Sequence, residues 1–291
     1  MSTSSSSIRR RALQGLFVLV VLALCAVTLA IPSRKASSAA PSTTPTTCDP
    51  AVCTTANPSG VTAAASTTDP VWGDPVKVEE FGGTSLDSSA TGWMTYNAPN
   101  GTPHRSPQNL AVGEGTLTLV GTYNSGTKAQ MGAGLAQRYD QMFGRWEVRA
   151  RSDKGAGFSP TILLWPKGDN WPAGGEIDLL ESPKGDRSHS IAVVHNGPSN
   201  RLKSHPLAID ASEWHTYAVE WLPNRITFLV DGKEMWTVTE RALLPDTAPM
   251  HIAVQNDAGC GWIQCPNKTT QAETNMQVDW IKVYALPGGL H

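Results

Sequence analysis

The sequence predicts an all-β chain, an antiparallel sandwich or barrel of the size of one large jelly-roll domain. Three observations carry this. Short alternating runs recur about every 8–12 residues from Val76 to Ala285, separated by Gly, Pro, Asn and Asp. Helical periodicity never exceeds two turns outside the amino-terminal segment. The hydrophobic fraction of 40% over 291 residues is enough for a buried core.

In chain order, Gly115 to Tyr123 (GTLTLVGTY) alternates Thr with Leu or Val. In Gly144 to Arg151 (GRWEVRAR), Trp146, Val148 and Ala150 lie on one face and Arg145, Glu147, Arg149 and Arg151 on the other. Trp214 to Trp221, Arg225 to Val230 and Lys233 to Val238 are three successive strands, joined by Pro223-Asn224 and by the hairpin signal Asp231-Gly232. Met250 to Gln255 and Met276 to Tyr284 complete the set. Trp146, Trp221, Trp236 and Trp280 alternate with polar residues and are expected in the core.

Composition narrows the class of ligand. Twenty-three basic and 25 acidic side chains leave a net charge of −2, and only 16% of residues are charged. A chain this weakly charged has no electrostatic hold on a polyanion, so no nucleic-acid partner is expected. Ten Trp stand against five Tyr and five Phe. With 26 Gly, this is the composition of a secreted β-protein that handles neutral polymers.

The amino terminus supports export. Arg9, Arg10 and Arg11 precede an uncharged run from Ala12 to Ile31, with a small-residue cleavage site at Thr28-Leu29-Ala30. The same run is long enough to span a bilayer uncleaved. Residues 1–31 are therefore a signal peptide or signal anchor. They imply a secreted, extracellular protein, with a membrane tether through residues 12–31 as the alternative. Leu24 ahead of Cys25 argues against lipidation. Residues 32–70, rich in Ser, Thr, Pro and Ala, cannot bury enough apolar surface to offset their ordering entropy and read as a linker. Residues 71–287 are the folded domain, expected as a monomer. The remaining cysteines fall in two close pairs, Cys48 with Cys53 and Cys260 with Cys265. Two local disulfides suit the oxidising compartment and the spacing better than a four-cysteine zinc site.

The densest chemical signal is GGEIDLLES, Gly174 to Ser182. Glu176, Asp178 and Glu181 are set among Ile177, Leu179 and Leu180, the pattern of a core strand and not of a solvated acidic loop. Alternation puts Glu176 and Asp178 on one face, and a β-bulge near Leu179-Leu180 returns Glu181 to it. Glu176 and Glu181 then lie about four strand steps apart, ~13 Å along the backbone. Side chains leaning inward would bring the carboxyls to roughly 5–6 Å, near the separation of a retaining glycosidase pair. Three carboxyls this close cannot all ionise cheaply, so at least one holds its proton to higher pH. A calcium site or a row of paired surface acids is the alternative.

EIDLLE at Glu176 to Glu181 resembles the bulged ExDxxE signature of glycoside hydrolase family 16, the laminarinase-like group. FGRWEVRAR, WHTYAVEWLPNRITFLVDG (Trp214 to Gly232) and VDWIKVY (Val278 to Tyr284) extend the resemblance over most of residues 76–285. It implies a concanavalin-like jelly roll with a concave glycan-binding cleft, and endo-acting hydrolysis with retention. It makes Glu176 the nucleophile, Glu181 the general acid/base and Asp178 the residue that tunes Glu176. Trp165 and Trp171 match positions that stack on sugars, with burial as the alternative. His195 matches a histidine facing the acids. The family's structural calcium, where present, uses an acid near the first strand and the Asp of the last. Glu79 and Asp279 are the nearest matches, against salt bridging or solvation; no cofactor is required for the reaction. The implied substrate is a neutral β-1,3- or β-1,3/1,4-glucan. A transglycosylase or galactan-type hydrolase of the same family and a non-catalytic, lectin-like glycan-binding module are the alternatives. HIAVQNDAGCGWIQCP departs from the usual Gly-Gly-rich segment near one cleft wall.

Overall fold

In the computed structural model the described residues are 70–90 and 92–288. The export segment and the linker lie outside them. So do Cys48 and Cys53, and the disulfide expected between Cys48 and Cys53 falls outside the described residues with them. Among the described residues no helix is long and apolar enough to cross a membrane.

The first strands are β1 (Lys77–Glu79), β2 (Trp93–Thr95), β3 (Leu110–Gly113), β4 (Thr116–Tyr123), β5 (Gln130–Met131) and β6 (Ala133–Gln137). The middle of the chain forms β7 (Gly144–Ser152), β8 (Phe158–Pro166), β9 (Glu176–Glu181), β10 (Ser190–Asn196) and β11 (Arg201–Leu207). The last are β12 (His215–Leu222), β13 (Arg225–Val230), β14 (Lys233–Val238), β15 (Met250–Ala258) and β16 (Glu273–Tyr284). They build two antiparallel sheets. One has the order β14-β13-β12-β7-β16-β4-β3, with β1 added beside β16 and β5 beside β4; the other is β11-β10-β9-β8-β15-β6-β2.

Alternation makes the core. Trp146, Val148 and Ala150 of β7 and Tyr217, Val219 and Trp221 of β12 project from one sheet. Ile162 and Leu164 of β8, Ile177 of β9 and Ile252 and Val254 of β15 meet them from the other, all fully buried. The opposite face of the seven-stranded sheet carries a second, smaller apolar group, Ala136, Leu163 and Ala253, with Tyr96 and Trp165 beside it. Apolar side chains on both faces explain why β8 (FSPTILLWP) is buried almost throughout and shows no clean alternation.

Trp146 and Trp221 are core residues as expected, and Trp236 packs half-buried against Phe228, ring centroids 5.1 Å apart. Trp280 is a correction. The pairing of β16 with β7 shifts register between Val278 and Trp280, which leaves Asp279 as an extra residue. That bulge turns Trp280 to the outer face, under Lys282, and sets Ile281 inward.

Candidate active site

The three acids of β9 lie on the outward face of the seven-stranded sheet, in successive rows. Glu176 pairs with His195, Asp178 with Val193 and Leu163, and Glu181 with Ile191 and Thr161. From Asp178 to Glu181 β9 advances three residues while β8 and β10 each advance two. One extra residue at Leu179-Leu180 therefore bulges, and both leucines are buried in the core. This is the bulge that the spacing of the acids requires.

Two glycines allow the strand to start where it does. Gly175 has φ 82°, and a Cβ there would sit 2.6 Å from the Pro245 ring and 3.0 Å from His195 O. A Cβ on Gly174 would meet Pro166 at 2.7 Å. The chain thus passes between two prolines immediately before Glu176.

Around Glu176 the polar partners are fixed. Trp171 Nε1 donates to Glu176 Oε2 at 2.6 Å. Trp165 lies nearly parallel to Trp171, centroids 6.2 Å apart and planes 9° from coplanar, and its Nε1 donates to Asp169 Oδ1. His195 donates from Nδ1 to Asn200 Oδ1 at 2.8 Å, which turns Nε2 toward Asp178 Oδ2, 3.8 Å away. Both Asp178 oxygens are buried without a donor. A carboxylate there would be costly to desolvate, and a proton shared with Glu176 supplies the missing hydrogen bond.

The electrostatics follow. Burial raises the Glu176 carboxyl above its ordinary value, opposed by His195, by the Trp171 and Asp178 hydrogen bonds and by Arg105. Asp178 is raised well above, first by burial, then by the charges of Glu176 and Glu181. Glu181 is pushed up to about 8 by burial, by Glu176 and by Asp257. Asp178 and Glu181 thus hold their protons more firmly than free carboxyls do, and Glu176 is the one of the three with neighbours that favour its ionised form. The face therefore carries a carboxyl that keeps its proton and a carboxyl with stabilised charge two rows apart, the pairing that acid and nucleophile chemistry requires.

Trp165, Trp171 and His195, expected as binding residues, thus gather beside Glu176. Several partners were not expected: Asn200, Asp169 and a group formed by Tyr96, Arg105, Gln255 and Asp257. Arg105 Nε and one terminal nitrogen bind the two Asp257 oxygens at 2.7 and 2.9 Å; that nitrogen also reaches Gln255 Oε1, and the guanidinium lies over the Tyr96 ring. A signal for part of this existed in HIAVQNDAG: His251, Ala253, Gln255 and Asp257 alternate along β15 and share the face of the acids.

Glu79 and Asp279 do not fit a calcium ion, which needs six to eight oxygen ligands. Glu79 accepts from Phe81 N and Trp93 Nε1, and Asp279 is held by Arg149. Among the described residues, Glu176, Asp178 and His195 are the three groups close enough to share a metal, within 4.8 Å of one another. Of the two disulfides expected from the cysteine spacing, the one between Cys260 and Cys265 is formed, with Trp262 at the surface of its loop. The other, between Cys48 and Cys53, lies outside the described residues. A depression of about 700 Å³ beside the Cys260–Cys265 bridge, bordered by Tyr123, Lys128 and Lys268, includes none of the three acids.

Comparison with known proteins agrees with this geometry. The model of glycosyl hydrolases family 16 matches residues 99–282. A glucan endo-1,3-beta-glucosidase A1 of Niallia circulans is 28% identical over 255 residues, covering 71% of this chain and 37% of that protein. A keratan-sulfate endo-1,4-beta-galactosidase of Sphingobacterium multivorum is 28% identical over 181 residues, 57% of this chain and 41% of the other. An endo-1,3-1,4-beta-glycanase, ExsH, of Rhizobium meliloti is 27% identical over 219 residues, 71% and 46%. The chain spans less than half the length of each of these relatives. Among solved structures, the laminarinase catalytic domain of Thermotoga maritima superposes with a TM-score of 0.63 at 22% identity, over 74% of this chain and 98% of that one. The laminarinase of Rhodothermus marinus does so with 0.63 at 23%, over 75% and 98%. Both share the jelly-roll fold.

Proposed function

This chain belongs to glycosyl hydrolase family 16, and from that premise we propose that it is an endo-acting β-glucanase that cleaves β-1,3- or β-1,3/1,4-glucan with retention. The observation that carries the proposal is the row of Glu176, Asp178 and Glu181 on the outward face of the seven-stranded sheet, where burial pushes the Glu181 carboxyl up to about 8.

Glu181 gives its proton to the glycosidic oxygen while Glu176 attacks the anomeric carbon. The bond to the leaving sugar breaks and a glycosyl ester forms on Glu176. Esterification removes the Glu176 charge, one of the causes that hold the Glu181 proton. Glu181, now a carboxylate, takes a proton from water, and the resulting hydroxyl frees the glycosyl unit from Glu176. Asp178 stays neutral and donates to Glu176. Trp165 and Trp171 offer parallel indole faces to the sugar beside the nucleophile.

A neutral glycan suits the charges of this face, because the Arg105 guanidinium there is already bound by Asp257. The test is a panel of laminarin, lichenan, curdlan, agarose and carrageenan, with reducing-end release and linkage analysis for the native chain and for Glu176→Gln. Release from the glucans that is lost in the variant is the expected result. Equal release by the variant would sink the assignment, and binding without turnover by the native chain would favour a lectin-like module.

The arginine-flanked run 12–31 supports delivery outside the cytoplasm, with residues 32–70 as a spacer ahead of a monomeric domain. Amino-terminal sequencing of the exported protein distinguishes cleavage after Ala30 from retention as an anchor. Recovery of the protein in the cytoplasm would overturn the placement.

A further inference from the structure

His195 of β10 pairs directly with Glu176 of β9, and a side chain outside the acid set determines how its ring is presented. Asn200 closes the turn between β10 and β11. Its N–H donates to Gly197 O at 2.9 Å, and its φ of 48° is left-handed, a conformation that asparagine adopts more readily than most residues. From there Asn200 Oδ1 accepts from His195 Nδ1 at 2.8 Å. Asn196, at the start of the same turn, is tied through its side chain to Ala242 O and Leu244 O, so the turn itself is held. The His195 side chain is only 15% exposed, and Asp178 Oδ2, 3.8 Å from Nε2, has no donor.

We propose that Asn200 is a positioning residue of the reaction: it locks neutral His195 as the Nδ1–H tautomer, so that a lone pair at Nε2 faces Asp178 and keeps the shared proton on Asp178 and the charge on Glu176. This rests on the hydrolase reading above.

A neutral imidazole has one N–H and one lone pair, and the hydrogen bond made by one nitrogen sets the role of the other. With Nδ1–H spent on Asn200, Nε2 can accept and cannot donate. A lone pair there repels an ionised Asp178 and suits a protonated one, which donates to Glu176. In the opposite tautomer Nε2–H would donate to Asp178 Oδ2, stabilise Asp178 as the carboxylate and move the proton to Glu176, which could no longer attack. A proton gained by the ring in acid is also added at Nε2, because Nδ1 already carries one.

Among the described residues, the other charged and polar groups around the ring are engaged elsewhere. On β11 its partner Leu202 is apolar, while Arg201 and Lys203 pair with Asn196 and Val194 and so alternate away from it. Lys203 is bound by Glu240, and Arg241 by Asp246. Trp171 stands 6.3 Å off with its N–H given to Glu176. Across β9, Trp165 donates to Asp169, His251 is bound by Asp140 and Arg105 by Asp257. The buried Arg187 lies at the opposite end of β9, where it donates to Ser182 O and to the carbonyls of Phe158 and Asp153.

Two variants test the lock. Asn200→Gly removes the amide at a φ that glycine adopts freely, and Asn200→Asp keeps an oxygen acceptor. Multiple-bond ¹H–¹⁵N NMR, at a pH where the ring is neutral, reads the tautomer directly. The native chain and Asn200→Asp are expected to show His195 protonated at Nδ1, and Asn200→Gly a shift toward Nε2–H. The kcat on glucan should fall about 3- to 10-fold in Asn200→Gly with KM nearly unchanged, and recover in Asn200→Asp. If the native chain hydrolyses no glucan, the hydrolase reading fails while the spectrum still decides the tautomer. Nε2–H in the native chain overturns the inference. So does a native tautomer in Asn200→Gly, or in Asn200→Ala should the glycine variant not fold. A shifted tautomer with unchanged kcat overturns the role in the reaction.

Discussion

Trp171 Nε1 donates to Glu176 Oε2 at 2.6 Å, and the indole that makes this bond is also the inner member of the Trp165–Trp171 pair. In the proposed mechanism one side chain therefore both orients the nucleophile and offers a face to the sugar. Trp171→Phe keeps most of the ring and removes the donor. A hydrogen bond to a charged group contributes about 1.5–3 kcal/mol, so kcat is expected to fall roughly 10- to 100-fold. The acid limb of the pH profile should move up as Glu176 becomes harder to ionise. An unchanged acid limb with only KM raised would make Trp171 a sugar platform alone.

The protonation of Glu181 costs the native state stability in alkali. Its carboxyl titrates near 8 in the folded chain, against an ordinary value of 4.5. Between those values the native state binds more protons than the unfolded one, so stability falls as pH rises through that window. Below 4.5 the contribution is fully present. Glu181→Gln removes the titrating group, and its Tm should exceed the native value by several degrees at pH 8 and by little at pH 5. Calorimetry at the two pH values checks this, and an equal offset at both would contradict it.

How far the sequence reaches into this structure depends on the range of the interaction. Local alternation locates β4, β7 and β12 to β14 within a residue or two, because one face of each is core. It misses β1, β2, β3, β5 and β6, two to five residues long, which are held by neighbouring strands and not by their own pattern, and also β8 and β11, whose residues do not alternate. The bulge in β9 is legible because three acids have to share a face. The bulge at Asp279 has no such chemical marker, so strict alternation sends Trp280 to the wrong side. Arg105 and Asp257 are 152 positions apart and come together only through tertiary folding. No spacing rule reaches such a pair, although the polar residues of QNDAG mark one half of it.

Gly175 is held at φ 82° with Pro245 packed where a Cβ would go. Gly175→Ala combines an unfavourable backbone conformation with an overlap at 2.6 Å against a rigid ring. Together these are expected to destabilise the domain by about 2–4 kcal/mol. Because the next residue is Glu176, kcat should also fall in whatever fraction remains folded at low temperature. Urea denaturation and assays at 10 °C separate the two effects. A variant with native stability would show that the loop Gly174–Gly175 relaxes freely.

The Cys260–Cys265 loop is tied to the sheet by backbone bonds at Gln264, whose carbonyl accepts from Gly157 and whose N–H donates to Pro183. Closing so short a loop restricts the unfolded chain by about 2 kcal/mol in the chain-entropy account. The paired change Cys260→Ser with Cys265→Ser should lower Tm by a few degrees. A scan of the native protein with and without reductant should show the same difference. No change in either would mean that the hydrogen bonds of Gln264 hold the loop without the bridge.

The proposed mechanism gives Glu176 and Glu181 separable roles, which the stereochemistry of rescue distinguishes. With an activated aryl β-glucoside the first step needs little acid, so Glu181→Ala should still accumulate the glycosyl ester and stall there for want of a base. Azide needs no base; it attacks the ester on the face opposite Glu176 and should release the β-azide with restored turnover. In Glu176→Ala no ester forms. Azide can then occupy the space left by the carboxylate and displace the aglycone directly, which gives the α-azide. Two variants, one added anion and opposite anomers follow from the order in which the carboxyls act. The same anomer from both variants would show that the roles of the two glutamates have been assigned wrongly.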